Sequence, residues 1–316
     1  MGAVFPSWIL GAIAVMGLGC LPAAATAADL CAPGEATDPQ PLHINGSKPF
    51  IYKTVNGADL RLHVFSPAGH APGSRSAAAV FFFGGGWLFG DIRRYQTQAT
   101  HLALRGVVTV LVDYRVKCRH GSTIMDSVAD AKSAMRWVRG HAAELGLDPS
   151  RIAAVGSSAG GQLAAAAALI SDFDDPADPP IDPRPNALVL YNPGLDLASP
   201  SALQKLQTLL GQNVAAHGRD LSPIDHLDRG LPPTIVFQGT ADELVSPAVA
   251  ETFCKRARAS KAQCEVVLYN GAPHGFTEVW LGLENASLGM KTERWAADTS
   301  SRTDAFLTKL GWLPAH

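Results

Sequence analysis

The chain has 316 residues, 47% of them hydrophobic and 17% charged, with a formal net charge of -2. A chain of this size and apolar content can bury a full core. The small net charge gives no reason to expect a nucleic-acid partner, and no phosphate-binding Gly-x-x-x-x-Gly-Lys-Ser/Thr loop occurs. The Cys and His residues lack zinc-like spacing, so neither a metal nor a cofactor is implied.

Residues 1–28 contain no Asp, Glu, Lys or Arg, and an apolar core over 8–21 runs into Pro22 and a string of small residues. This pattern predicts a signal peptide cleaved at Ala25-Thr26-Ala27 and a secreted or periplasmic protein without stable membrane association afterwards. An uncleaved anchor competes poorly, because the apolar core is shorter than the ~20 residues a span prefers. A lipoprotein site at Cys20 competes less well still, with Gly17 where leucine is usual. Residues 29–48, rich in proline and small polar residues, read as a mobile or surface-hugging arm. Residues 49–316 read as one domain.

The first chemically informative stretch is an apolar run over 77–83, a buried strand, followed by Gly84, Gly85, Gly86 and Trp87. Three glycines free the backbone to turn its N–H groups toward a ligand, which suits an oxyanion hole. A dinucleotide fingerprint fits poorly, since its third glycine would fall on Phe89. Residues 107–112 form another apolar run, closed by Asp113-Tyr114-Arg115. Over 126–140, Val128, Ala131, Met135 and Val138 are spaced for one face of a helix. Residues 151–155 read as a short buried strand, and 162–170 as an alanine-rich helix. Between them lies Gly156-Ser157-Ser158-Ala159-Gly160-Gly161, a Gly-x-Ser-x-Gly turn that presents Ser158 as a nucleophile on a strained backbone.

Residues 171–186 are too rich in proline for a helix and read as an acidic loop. Residues 195–231, helix-like over 201–210, read as a small cap over the site. The strand 234–238 ends in a loop carrying Asp242, placed to orient a histidine. Glu243 beside it reads as solvated, and Asp196 is a weaker rival for the acid. A helix over 247–259 carries Cys254, and Cys264 opens the strand that ends near Tyr269. His274 follows, held between Pro273 and Gly275 in a loop, with a near-neutral pKa that suits both base and acid. Trp87, Leu88, Phe89 and Trp280 are candidates for lining an acyl pocket, with ordinary packing as the alternative reading. The Asn45-Gly46-Ser47 and Asn285-Ala286-Ser287 triplets read as chance matches to a glycan acceptor.

Removal of the signal takes Cys20 and leaves Cys31, Cys118, Cys254 and Cys264, an even number that suits an oxidising compartment. Four cysteines allow three connectivities; we favour Cys254–Cys264 with Cys31–Cys118, against the alternative of four buried free thiols.

The glycine loop, the serine turn, the acid and the histidine together resemble the α/β-hydrolase superfamily, in which the order Ser, Asp, His is the rule. Within it they resemble the hormone-sensitive-lipase-like and microbial carbohydrate esterases, from about Leu60 to Leu313. The resemblance implies a single α/β domain, a mostly parallel central sheet flanked by helices, with a small cap insertion. By motif position it implies oxyanion donors at Gly85, Gly86 and Ala159, and a catalytic set of Ser158, Asp242 and His274. The family's loop usually begins with histidine; Phe83 stands there, which removes a side chain that would brace the loop. Val107 to Arg115 and the helix after Asp126 match the same branch, and 113–161 resembles acetyl-xylan-type esterases most.

The function so implied is hydrolysis of short acyl esters, O-acetyl groups on a plant polysaccharide or oligosaccharide foremost, through a serine acyl-enzyme. The partner is a small-molecule or carbohydrate ester. A general carboxylesterase or peptidase of the same fold is the alternative within enzymes. A catalytically silent binding protein is the alternative outside them, although such proteins usually lack one of the three residues. The residue pattern says nothing of oligomeric state.

Overall fold

The computed structural model describes residues 31, 34, 36–210, 214–277 and 286–314. The expected signal peptide, Trp280 and Asn285 lie outside the described residues. Among the described residues no helix is long and apolar enough to cross a membrane.

The chain opens on a hairpin that the sequence reading did not anticipate. Strands β1 (Lys48–Val55) and β2 (Ala58–Phe65) pair antiparallel across Asn56 and Gly57, whose φ angles are 51° and 79°. Two successive positive φ values are what a two-residue hairpin turn of matching twist needs, and Asn-Gly was the local signal for it. Then come β3 (Ser76–Phe82), α1 (Gln96–Leu104), β4 (Val108–Val112), the one-turn α2 (Lys117–His120) and α3 (Ile124–Gly140). They are followed by β5 (Leu147–Ser157), α4 (Ser158–Leu169), β6 (Ala187–Tyr191), α5 (Pro200–Leu210), β7 (Thr234–Gly239), α6 (Pro247–Ala259), β8 (Cys264–Tyr269) and α7 (Ala286–Lys309).

The eight strands form one sheet in the order β1-β2-β4-β3-β5-β6-β7-β8, antiparallel at β1–β2 and β2–β4 and parallel elsewhere. Every residue of β4, β6 and β7 is buried, as in a parallel sheet covered on both faces. The chain leaves β3 in one direction to make β4 and later returns to its other side with β5, so the order reverses there. Loops that follow β3 and β5 therefore diverge and open a crevice at the carboxyl ends of those strands. Phe82 pairs with Gly156, which sets the glycine loop and the serine turn side by side.

The predicted elements are present with shifted ends. Helix α3 begins two residues before the predicted Asp126, because Thr123 and Asp126 form a reciprocal capping box. Its expected inner face, Val128, Ala131, Met135 and Val138, is fully buried. Helix α4 starts at Ser158 rather than 162 and is buried along almost its whole length, which explains the alanines: only small side chains let a helix lie this close under a sheet.

The acidic loop over 171–186 is a counterion strap. Asp175 meets Lys53 of β1 at 2.6 Å, Asp178 meets Arg136 at 2.9 Å and Asp174 meets Lys132 at 2.9 Å, both partners lying on α3. The strap holds α3 to the sheet edge through these three carboxylates, while Asp172 and Asp182 stay exposed. The Asp113-Tyr114-Arg115 motif also proves to be a bracket: Arg115 Nε and Nη2 grip the buried Asp130 of α3 at 2.7 and 2.9 Å. The structure joins Cys31 to Cys118 and Cys254 to Cys264, with Cα atoms 5.1 Å apart in each. From the arm, Gln40 donates to the Gly90 carbonyl at 2.7 Å and accepts from Ile92 N at 2.8 Å, so the described part of the arm lies against the sheet end that carries the glycine loop.

Candidate active site

Strand β5 passes into α4 at Ser158 with no intervening residue, and Ser158 takes a φ of 53°. A side-chain-bearing residue in this region is strained and persists only where its surroundings hold it. Here the glycines do so by allowing contacts that no Cβ would permit. A Cβ on Gly156 would stand 2.2 Å from the Gly160 carbonyl oxygen, and one on Gly160 would stand 2.0 Å from that of Phe82 and 2.4 Å from that of Phe83. The close approach at Gly160 presses the first turn of α4 onto the end of β3. Ser157, fully buried, accepts a hydrogen bond from Asn192 Nδ2 at 3.1 Å, whereas Ser158 is half-buried and open to the crevice.

The loops after β7 and β8 are stitched together beside it. Ala241 N donates to the Ala272 carbonyl and Thr240 N to that of Tyr269, both at 3.0 Å. That brings His274 between the serine and an acid. Its Nε2 is 2.8 Å from Ser158 Oγ and its Nδ1 is 2.8 Å from Asp242 Oδ2. An ionised carboxylate only accepts, so Nδ1 carries the proton and Nε2 is left to accept from the serine hydroxyl; the network assigns this tautomer. The Asp242 side chain is fully buried. Its charge is met by dipoles instead of a cation: Leu244 N and Val245 N donate to Oδ1 at 2.9 and 2.8 Å, and Gln238 Nε2 donates to Oδ2 at 2.9 Å.

The rival acids stand elsewhere. Asp196 accepts from Ala198 N and Ser199 N at 2.9 Å, capping the approach to α5. Glu243 is exposed.

On the opposite side of Ser158 lies the glycine loop. Gly85 has a φ of 137°, and a Cβ there would fall 1.9 Å from the Phe89 carbonyl oxygen. The Gly85 carbonyl accepts from Leu88 N at 3.1 Å and Phe89 N at 3.3 Å inside the loop, and the Gly84 carbonyl accepts from Arg94 Nη1 at 3.2 Å. In a planar trans peptide the N–H points opposite the C=O. The N–H groups of Gly85 and Gly86 are thereby turned away from those partners, and neither has an acceptor among the described residues. Ala159, in the first turn of α4, carries an N–H that no helical carbonyl can take.

Phe83, where histidine was expected, does brace the loop. Its ring stacks on Tyr114 with centroids 4.1 Å apart, and Tyr114 Oη donates to the Phe83 carbonyl at 2.6 Å. The expectation of a missing brace is corrected: packing and a tyrosine hydroxyl replace a polar side chain.

Of the pocket candidates, Leu88 is 2% exposed, Phe89 packs against the core and Trp280 lies outside the described residues. Trp87 is the informative one. Its Nε1 donates to Gln162 Oε1 at 3.2 Å, and Gln162 Nε2 donates to the Leu221 carbonyl at 3.0 Å. Gln162 is one helical turn beyond Ser158, so the indole lies along the face of α4 that presents the serine. Sequence reasoning missed Gln162, Gln238 and Arg94. For the first two a signal existed, a lone amide in an otherwise apolar helix or strand.

A model of the alpha/beta hydrolase fold family matches residues 79–278. Esterase LipC of Mycobacterium tuberculosis is 30% identical over 222 residues, covering 65% of this chain and 54% of that protein. Carboxylesterase NlhH of the same species is 33% identical over 192 residues, covering 52% and 54%. The chain thus spans about half the length of these curated relatives. Among solved structures, the apo form of Thermogutta terrifontis esterase 2 superposes with a TM-score of 0.76 at 39% identity, covering 87% of this chain and 98% of that one. That esterase has also been solved phosphoramylated by tabun and with propionate bound. A family model that covers well over half of the residues, on a fold and a site built as described, decides the matter: the chain belongs to the alpha/beta hydrolase fold family.

Proposed function

We propose that this protein is a serine esterase that hydrolyses short acyl esters, with O-acetyl groups on a plant polysaccharide or its oligomers as the favoured substrate. The observation that carries the reading is the unbroken line of hydrogen bonds from Ser158 Oγ through His274 to Asp242, each link 2.8 Å long. His274 takes the serine proton on Nε2 as Oγ attacks the ester carbonyl. The N–H groups of Gly85, Gly86 and Ala159 hold the resulting oxyanion. Collapse breaks the bond to the alcohol oxygen, which receives the proton from Nε2 and departs. Water, deprotonated by the same nitrogen, then attacks the acyl-serine, and the acid leaves as Ser158 regains its proton. Asp242 stays ionised throughout and stabilises the imidazolium.

Several observations support the finer points. The related structure with propionate bound favours a short acyl group. The two disulfides favour an oxidising compartment, and with it the division into a signal over 1–28, an arm over 29–48 and a catalytic domain over 49–316. The test has two parts. Ser158→Ala should abolish p-nitrophenyl acetate hydrolysis while Ser157→Ala retains much of it; the reverse result would remove the catalytic reading. Acetate release should then be higher from acetylated xylan than from other acetylated glycans or aryl esters. Equal turnover of all of them would leave a general carboxylesterase, the reading that the likeness to NlhH favours.

A further inference from the structure

We infer that Arg94 is a positioning residue for the oxyanion loop, and that it acts by orienting and polarising the Gly84–Gly85 peptide. The inference rests on the esterase reading and goes beyond it, since neither the serine turn nor the glycine motif points to this side chain. Arg94 is only 6% exposed, an unusual place for a guanidinium, and its Nη1 donates to the Gly84 carbonyl at 3.2 Å. That carbonyl belongs to the peptide whose N–H is the Gly85 donor. Holding the oxygen from behind therefore aims the hydrogen forward into the crevice, and a positive charge on the oxygen draws electron density from the N–H and strengthens it as a donor.

The side chain is delivered by a rigid mount. Arg94 sits in a 3-10 turn, Ile92–Tyr95, which Asp91 caps by accepting from Arg93 N at 2.7 Å. Gln40 of the arm accepts from Ile92 N at 2.8 Å and donates to the Gly90 carbonyl. Gly90, with a φ of 144°, lies so close that a Cβ would stand 2.4 Å from the Phe83 ring and 2.5 Å from the Gly84 oxygen. The mount is thus pressed against the loop it supports. Phe83 has no side-chain donor to offer, and the loop's outer carbonyls are held by Tyr114 at Phe83 and by Arg94 at Gly84.

A buried charge behind the donor acts most where negative charge appears, that is, on the transition state and little on the bound ester. Turnover of p-nitrophenyl acetate by Arg94→Lys, Arg94→Gln and Arg94→Met, with Ser158→Ala as baseline, reads this out. We expect kcat to fall in the order Lys, Gln, Met, with Arg94→Met losing about 30–100-fold while KM stays within about threefold. Affinity for a trifluoromethyl ketone, whose serine adduct carries the oxyanion, should fall in parallel with kcat. A merely structural role would lower activity together with thermal stability and would not separate kcat from KM. Folded Arg94→Gln or Arg94→Met with kcat within twofold of the parent, or a loss confined to KM, would overturn the inference while leaving the esterase reading intact. If Arg94→Met does not fold, the Lys and Gln variants carry the same comparison. Full activity in Ser158→Ala would instead remove the esterase reading, and this inference with it.

Discussion

On one side of Ser158 stand Gly85, Gly86 and Ala159, and the carbonyls of the peptides that carry their N–H groups accept from Arg94, from Leu88 and Phe89, and from Gly194. On the other side stand His274 and Asp242, side chains from two loops, aligned by hydrogen bonds to amides and to each other. The first side is set by contacts too close for any Cβ, at Gly85, Gly156 and Gly160. The second is set by directional polar bonds around a buried carboxylate. Packing tolerates no added atom, whereas a polar network tolerates exchange of atoms but not loss of a charge or a donor.

Substitutions on the two sides should therefore fail differently. The largest effect belongs to the charged side. Asp242→Asn keeps the shape but favours the wrong histidine tautomer, and kcat on an aryl acetate should fall by about 10⁴-fold with little change in melting temperature. Retention of more than a tenth of the activity would mean that the acid is not needed to orient His274. On the packed side, Gly85→Ala drives a methyl into the Phe89 carbonyl and should displace the loop, with kcat falling about 10²–10³-fold and KM changing far less. An unaltered kcat would separate Gly85 from the oxyanion.

A third expectation concerns pH. Burial pushes the Asp113 carboxyl, beside the Tyr114 bracket of the loop, up to about 7, against the opposing pull of Arg119. A carboxyl whose folded pKa exceeds its unfolded value favours folding in the protonated form. Its contribution is complete below about pH 4 and is lost as pH rises through about 7. Asp113→Asn should therefore flatten the decline in unfolding free energy between those values, by about 2–4 kcal/mol, as measured by urea titration at several pH values. A parallel curve in the variant would assign the decline to other groups. The smallest effect is expected from Gln238→Leu, which removes one of the donors that hold Asp242 against His274; kcat on an aryl acetate should drop roughly tenfold with little change in KM. An unchanged kcat would make Gln238 a packing residue only.

The serine turn, the glycine loop and the aspartate and histidine loops were all legible in the chain, because each is a local pattern: small residues where the backbone turns sharply, or one polar side chain after a short apolar strand. Their ends were less legible. Helix α4 begins four residues before its alanine-rich core suggested, since Ser158 enters it with a left-handed φ that periodicity cannot register. The β1–β2 hairpin was overlooked despite Asn56-Gly57, because the edge strand β1 is only half-buried and β2, although mostly buried inside the sheet, interrupts its apolar residues with Asp59, Arg61 and His63.

By itself the sequence determined which residues have the chemistry: a serine at a turn only glycines allow, a histidine able to serve as base and then acid, an aspartate after a strand, and glycines that free backbone donors. It also determined an open parallel sheet, through apolar runs alternating with helical periods. Only the tertiary structure decided that these groups meet, because the reversal of strand order at β3 and β5 creates the crevice and no local pattern encodes that order. The same holds for the supports. Arg94 beneath Gly84, Tyr114 beneath Phe83 and Gln162 beside Trp87 act through contacts between residues 10 to 75 apart in the chain, and contacts of that kind exist only once the chain has folded.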